Sequence, residues 1–274
     1  MSKIGRLRQA SLELLNEHEQ DGALPTSSRF LFYELVQRGI LSKERKAQAR
    51  RPDQDLHVAL TQLRESGEVP WDWIVDETRS VEDYRGASTL REWMLDVLPE
   101  ARLDPWSGDQ PLILTESRSL AGVLRALVRE YGGWIAATNG QCGGFLHTEI
   151  APRLRFKQRV LYLGDLDLSG GQIEDNTRRV LEHEAGALRW ERLALTQAQV
   201  DQYDLPVIEK HDRRYRDGHP HQAVETEALS QTIIVGIVRD RLDQLLPEQL
   251  ATVQERADEE RAKIRRALQR LRVT

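Results

Sequence analysis

The stretch Arg159-Val160-Leu161-Tyr162-Leu163-Gly164-Asp165-Leu166-Asp167-Leu168-Ser169-Gly170-Gly171 decides how this chain is read. Its first half is a short apolar run closed by glycine, which predicts a buried strand. Asp165 and Asp167 follow directly. They are two residues apart, so an extended segment points both to one side. Gly170 and Gly171 predict a sharp turn into a helix from Gly171 to about Glu184, whose N-terminus favours a nearby phosphate.

Working outward, Pro111–Thr115 (PLILT) predicts another buried strand, followed by a helix from about Leu120 to Tyr131 and a strand at Trp134–Ala137. Strands alternating with helices imply a mostly parallel sheet covered on both faces. Glu116 stands immediately after PLILT, as Asp165 does after its own strand. The carboxyl ends of parallel strands line the crevice where ligands bind. Clustered carboxylates repel one another unless a cation neutralises them, and hard oxygen ligands suit Mg²⁺. Glu116, Asp165 and Asp167 are therefore the predicted metal ligands, converging on one Mg²⁺. A D-x-D alone is common in ordinary loops; its order with the strand-borne Glu116 inside one α/β unit gives the reading its weight.

Upstream, residues 1–20 predict an amphipathic helix through Ile4, Leu7, Leu12, Leu14 and Leu15. A second, capped by Thr26 or Ser27, runs through Phe30, Phe32 and Leu35 to Gly39. A third spans about Asp53–Ser66 and stops at Gly67, and Val69–Val75 predicts a short strand pair. This order fits a winged helix-turn-helix, as it also fits other small helical packings. After a linking helix (Leu90–Leu98), Pro99, Pro105, Gly108 and Pro111 mark a boundary. The expected division is 1–98, an N-terminal helix and winged-helix domain; 108–245, the α/β domain; and 246–274, a C-terminal amphipathic helix.

The chain has 274 residues, 30% of them charged, and a formal net charge of −5, so its overall field does not favour nucleic acid. A local exception is the basic segment holding Arg38, Lys43, Lys46, Arg50 and Arg51, readable as a DNA-phosphate track or as a solvated surface. One cysteine, Cys142, excludes an intramolecular disulfide. The N-terminal residues lack the apolar stretch of a secretion signal, and no apolar run reaches membrane-spanning length. The expectation is a soluble, cytoplasmic protein.

Leu114-Thr115-Glu116, Gly140 and Leu163-Gly164-Asp165-Leu166-Asp167-Leu168-Ser169-Gly170 together resemble the Toprim fold of topoisomerases, bacterial primases and related nucleases. More narrowly, the chain resembles the A subunit of DNA topoisomerase VI and the meiotic double-strand-break transesterases, in a shorter bacterial or phage form. The likeness runs from about residue 25 to 245. It implies an α/β protein in which an N-terminal winged helix-turn-helix domain precedes a Toprim-type, mostly parallel α/β domain. The family's Arg-x-x-[Tyr or Phe]-Tyr motif is matched by Arg29-Phe30-Leu31-Phe32-Tyr33, which puts Tyr33 on the nucleophile. Arg29, one helical turn earlier, then stabilises the phosphate or the phenolate. Gly67–Arg79 is similar to a wing segment, and Ala194-Leu195-Thr196, Leu205-Pro206 and Glu225-Thr226-Glu227-Ala228-Leu229 to the region that follows D-x-D. Leu168 departs from the family, which often has proline there.

The resemblance implies Mg-dependent tyrosine transesterification of double-stranded DNA, with Tyr33, Arg29 and Glu116 catalytic. It also implies a homodimer in which the tyrosine of one protomer meets the metal site of the other. Strand passage would need a separate GHKL-type ATPase subunit, and the chain is shorter than a full A subunit. Two other readings remain open: a Toprim nuclease using metal-activated water, with Tyr33 idle, and a non-catalytic DNA-binding accessory protein. Elsewhere, His211–Tyr215 with His219 and His221 matches no common zinc spacing. It reads as a polar loop, with Arg213 or Arg214 as candidates for a DNA phosphate. Glu225 and Glu227 read as acids that support the metal ligands or, more simply, as a solvated helix start, and Cys142 as structural.

Overall fold

The computed structural model describes residues 3–42, 52–75, 83–140, 142–210, 219 and 221–271. Helices α1 (Lys3–Gln20), α2 (Ser28–Gln37) and α3 (Pro52–Glu65) form an N-terminal body. Their apolar stripes meet in a core that includes Leu7, Leu14, Leu15, Leu31, Leu35, Leu56, Leu60 and Leu63. Ser27 caps α2, its hydroxyl accepting from the Phe30 amide at 3.2 Å. Gly39, at φ 69°, ends the helix in a conformation that a Cβ would strain.

The expected strand pair at 69–75 is not formed. Trp71–Trp73 is instead a 3₁₀ turn, and Ile74 makes an isolated parallel bridge to Thr26. Arg64 explains the difference. Its guanidinium lies 5.1 Å from the Trp71 ring centre and donates to the Trp71 and Ile74 carbonyls at 3.3 and 2.8 Å. A side chain thus takes acceptors that a second strand would have used.

Helix α4 (Leu90–Val97) leads to β1 (Leu112–Thr115), α5 (Arg118–Glu130), β2 (Trp134–Ala137) and the short α6 (Gly143–Phe145), which continues as helical turns to Arg153. Then come β3 (Arg159–Leu163), α7 (Leu168–Ala185), β4 (Arg189–Ala194) and α8 (Gln197–Gln202). Strands β5 (Ile208–Lys210) and β6 (His221–Ala223) form a separate antiparallel pair before α9 (Gln231–Leu245) and α10 (Leu250–Arg270). The main sheet has the order β2-β1-β3-β4, parallel throughout. The molecule is therefore mixed α/β around a four-stranded parallel sheet.

Alternation along the strands sorts the core. Ile113, Leu161 and Leu163 pack with Leu120, Leu124 and Leu127 of α5 and Ile234, Val238 and Leu242 of α9. Leu112, Leu114, Val160 and Tyr162 pack the opposite face with Leu146, Ile150, Val180 and Leu181. Phe30, on α2, is wholly buried in the first of these clusters, so the N-terminal body reaches into the sheet's core. Helix α4 packs against α10, and Arg91 donates to the Leu271 carbonyl at 3.1 Å. Among the described residues, no helix is long and apolar enough to cross a membrane.

Candidate functional site

After β1 the chain pairs β2 on one side and then returns to place β3 on the other. That reversal is a topological switch point, which opens a crevice beyond the carboxyl ends of β1 and β3. Glu116 and Asp165 stand there. The Glu116 amide donates to the Leu163 carbonyl at 2.9 Å, carrying the strand pairing one residue further. Glu116 Oε2 accepts from the Asp165 amide at 3.2 Å.

Asp167, the third predicted ligand, is the N-cap of α7. Its Oδ1 accepts from the Gly170 amide at 2.7 Å and caps α7, which starts at Leu168, ahead of the predicted Gly171. Aspartate is a strong N-cap, and here it answers a helix-terminal N–H itself. The two glycines also differ. A Cβ on Gly170 would lie 2.3 Å from the Asp165 carbonyl oxygen, whereas one on Gly171 would meet open space. Gly170 is the position that lets α7 close onto the loop.

Two groups that the sequence reading missed hold this loop. Arg192, on β4, donates to the carbonyls of Gly164 and Asp165 at 2.8 and 2.7 Å and to that of Leu195 at 2.8 Å. It also pairs with Glu174 of α7 and lies over the Tyr162 ring. Thr226 is the other. Leu166 and Val224 exchange amide hydrogen bonds of 2.9 and 3.1 Å, laying the 224–227 segment across the site. Asp165 Oδ1 then accepts from the Thr226 amide at 2.9 Å and from its hydroxyl at 3.1 Å.

The same segment corrects the reading of Glu225 and Glu227 as a solvated helix start. Glu227 is fully buried in the 3₁₀ turn Thr226–Ala228, between buried Val224 and Leu229. Its Oε1 lies 3.0 Å from Arg29 Nε, while Arg29 Nη2 donates to Glu225 Oε2 at 3.2 Å. Glu227 follows Glu225 and Thr226, so the local pattern carries no signal of its burial. Arg29 is thus engaged by carboxylates of its own chain, and its guanidinium also lies 5.9 Å from the Tyr33 ring centre. Tyr33 itself is 7% exposed, its ring edge-on to Phe32.

Burial and the neighbouring Asp165, with smaller contributions from Asp167 and Glu227, push the Glu116 carboxyl up to about 7. Burial likewise raises Glu227 against the opposing pull of Arg29. Burial alone would weaken the Arg29 charge, but Glu227, Glu225, Asp165 and Glu116 outweigh it and raise its pKa. Among the described residues, no three His, Cys, Asp or Glu side chains are arranged to hold a metal unaided. Mg²⁺ is usually bound through one or two carboxylates, with waters and substrate phosphates completing its shell. The donors of Glu116 and Asp165, and the mutual repulsion that raises Glu116, fit that kind of site.

Of the predicted DNA contacts, Arg38 is paired with Glu17. Lys43, Lys46, Arg50 and Arg51 lie outside the described residues, as do residues 211–218. Arg118, two residues past Glu116, is exposed and lines depressions on either side of the start of α5, one with His57 and Thr61, the other with Thr138 and Asn139. Cys142 is half-buried, and burial raises its thiol pKa, which suits a structural role. Comparison with models of known families, with curated proteins and with solved structures found no match.

Proposed function

We propose that the protein is a Toprim-type, topoisomerase VI A-like DNA-cleaving protein acting on phosphodiesters with Mg²⁺. The observation that carries this reading is the meeting of Glu116 and Asp165 at the switch point of the parallel sheet, with Arg29 of α2 held nearby by Glu225 and Glu227 on either side of Thr226, which binds Asp165. When bound, Mg²⁺ would offset charge on the phosphate oxygens. Glu116 and Asp165 would hold it, Thr226 fixes one Asp165 oxygen, and Arg192 fixes the loop's carbonyls. Arg29 presents a partly exposed guanidinium for a phosphate, and Arg118 supplies a further cation beside the crevice.

In the transesterase form of this reading, the Tyr33 oxygen attacks phosphorus and loses its proton to a base. The phosphotyrosyl ester forms as the sugar oxygen leaves and takes up a proton. The 7% exposure of Tyr33 favours a second form, in which metal-activated water attacks and the product is a simple break. Double-stranded DNA, a homodimer and a separate GHKL-type ATPase subunit belong to the proposal as partners.

The test is to incubate the protein with supercoiled DNA and Mg²⁺, denature, and look for protein covalently bound to broken ends. An adduct lost in Tyr33→Phe supports the transesterase. Mg-dependent breaks without an adduct, unchanged in Tyr33→Phe, support the water nuclease. DNA left whole by the unaltered protein, with or without Mg²⁺, would count against both.

A further inference from the structure

Arg29 and Glu227 form a pair whose two ends differ sharply. Glu227 has no exposed surface, so water cannot screen its charge, and Arg29 is the cation set against it at 3.0 Å. Arg29, by contrast, keeps 43% of its side chain exposed and is shared with Glu225. Asp165 and Glu116 add to the pull of Glu227 and Glu225 in raising its pKa. Thr226, hydrogen-bonded to Asp165, is the immediate neighbour of both Glu225 and Glu227. One guanidinium from α2 is therefore held by a buried acid at the edge of the carboxylate site.

We propose that Arg29 is a built-in counter-cation of the Glu116/Asp165 site, that Glu227 is the positioning residue holding it there, and that this pair sets the site's affinity for a divalent cation. The proposal rests on the metal-dependent reading above and adds to it which residues tune the metal. With both partners present, their charges largely cancel as felt by an approaching cation. Removing Glu227 alone takes away one of the two acids that face Arg29, which stays held by Glu225, so the site becomes one charge more positive and repels a dication more strongly. Removing Arg29 as well restores the balance. Because the coupling is reciprocal, a bound cation must in turn weaken the hold of the acids on α2.

The test is titration calorimetry of the full chain with Mg²⁺ alone, so no turnover is needed. Glu227→Gln should bind Mg²⁺ about five- to tenfold more weakly than the unaltered protein. Arg29→Gln combined with Glu227→Gln should return to within about twofold of it. A merely structural role for Glu227 predicts instead a double variant at least as weak as the single one. That result, or an unchanged affinity in Glu227→Gln, overturns the proposal while leaving the metal site standing. Should Glu227→Gln not fold, Arg29→Gln carries the test: tighter Mg²⁺ binding than in the unaltered protein supports the proposal, and equal or weaker affinity overturns it. If the unaltered protein binds no Mg²⁺ at millimolar concentrations, the metal-dependent reading falls and this inference falls with it.

Discussion

A methyl group on Gly170 would stand 2.3 Å from the Asp165 carbonyl oxygen, well inside contact distance, while Gly171 next to it faces open space. Gly170→Ala must therefore push α7 away from the loop that carries Asp165. It should cost about 2–3 kcal/mol in denaturant unfolding. Gly171→Ala, inside the helix, should be neutral or stabilising by up to about 1 kcal/mol. Equal effects at the two glycines would show that the close approach does not exist. Glu116 allows a test by pH. Its folded pKa, about 7, is raised above the ordinary 4.5, mainly by burial and by Asp165. The stability it contributes is thus fully present below pH 4.5 and lost as pH rises through about 7. Allowing for the solvent that reaches this half-buried carboxyl, the loss is on the order of 1–2 kcal/mol. Melting curves without metal should show this decline between mildly acidic and mildly alkaline buffer, and Glu116→Gln should flatten it. A variant that keeps the full slope would place the titration on another group.

The β3–loop–α7 unit shows how elements share the work of holding one residue. Asp165 is placed by strand pairing behind it, by Asp167 capping the helix ahead and by Arg192 reaching across from β4. Lysine at position 192 would keep the charge but lose the planar fork that reaches three carbonyls and Glu174 together. Arg192→Lys should lower stability by about 2–3 kcal/mol in urea unfolding, because buried acceptors lose their donor. A loss no greater than that of an ordinary surface substitution would mean that water replaces the guanidinium. This unit also shows where legibility ended. Strands β1, β2 and β3 announced themselves as short apolar runs, and the acids beyond β1 and β3 were readable from their positions alone. Strand β4 was not, because Trp190-Glu191-Arg192 mixes charge with apolar groups, as an edge strand can. The roles of Thr226 and Glu227 were not readable either, since Thr226 reaches Asp165 from 61 residues downstream, beside the Leu166–Val224 bridge, and Glu227 meets Arg29 of α2. The turn at Trp71–Trp73 misled for a similar reason: Arg64, from the preceding helix, fixes it, and strand propensity carries no record of that contact.

At the scale of the whole molecule, the N-terminal helices and the sheet are not beads on a string. Phe30 leaves the helical body to lie fully buried among sheet-side residues such as Leu120 and Leu229. Gln37 donates to the Ala228 carbonyl at 2.5 Å, and the Gln231 amide donates to the carbonyls of Ala23 and, at 2.8 Å, Pro25. Arg29 adds its ion pairs with Glu225 and Glu227 at the same seam. These ties join an apolar anchor to polar groups that would be left unpaired if the bodies separated, so parting them loses packing and hydrogen bonds together. The two bodies should therefore unfold as one cooperative unit. Calorimetry should give a single transition whose calorimetric and van't Hoff enthalpies agree. Phe30→Ala removes the anchor and should cost about 3–5 kcal/mol, as deletion of a large buried side chain does. That loss should lower the midpoint seen by Trp71 and Trp73 in the helical body and by Trp190 on the sheet alike. Two resolved transitions in the unaltered protein, or a Phe30→Ala effect confined to the helical tryptophans, would mean that the seam is only a loose contact between independent domains.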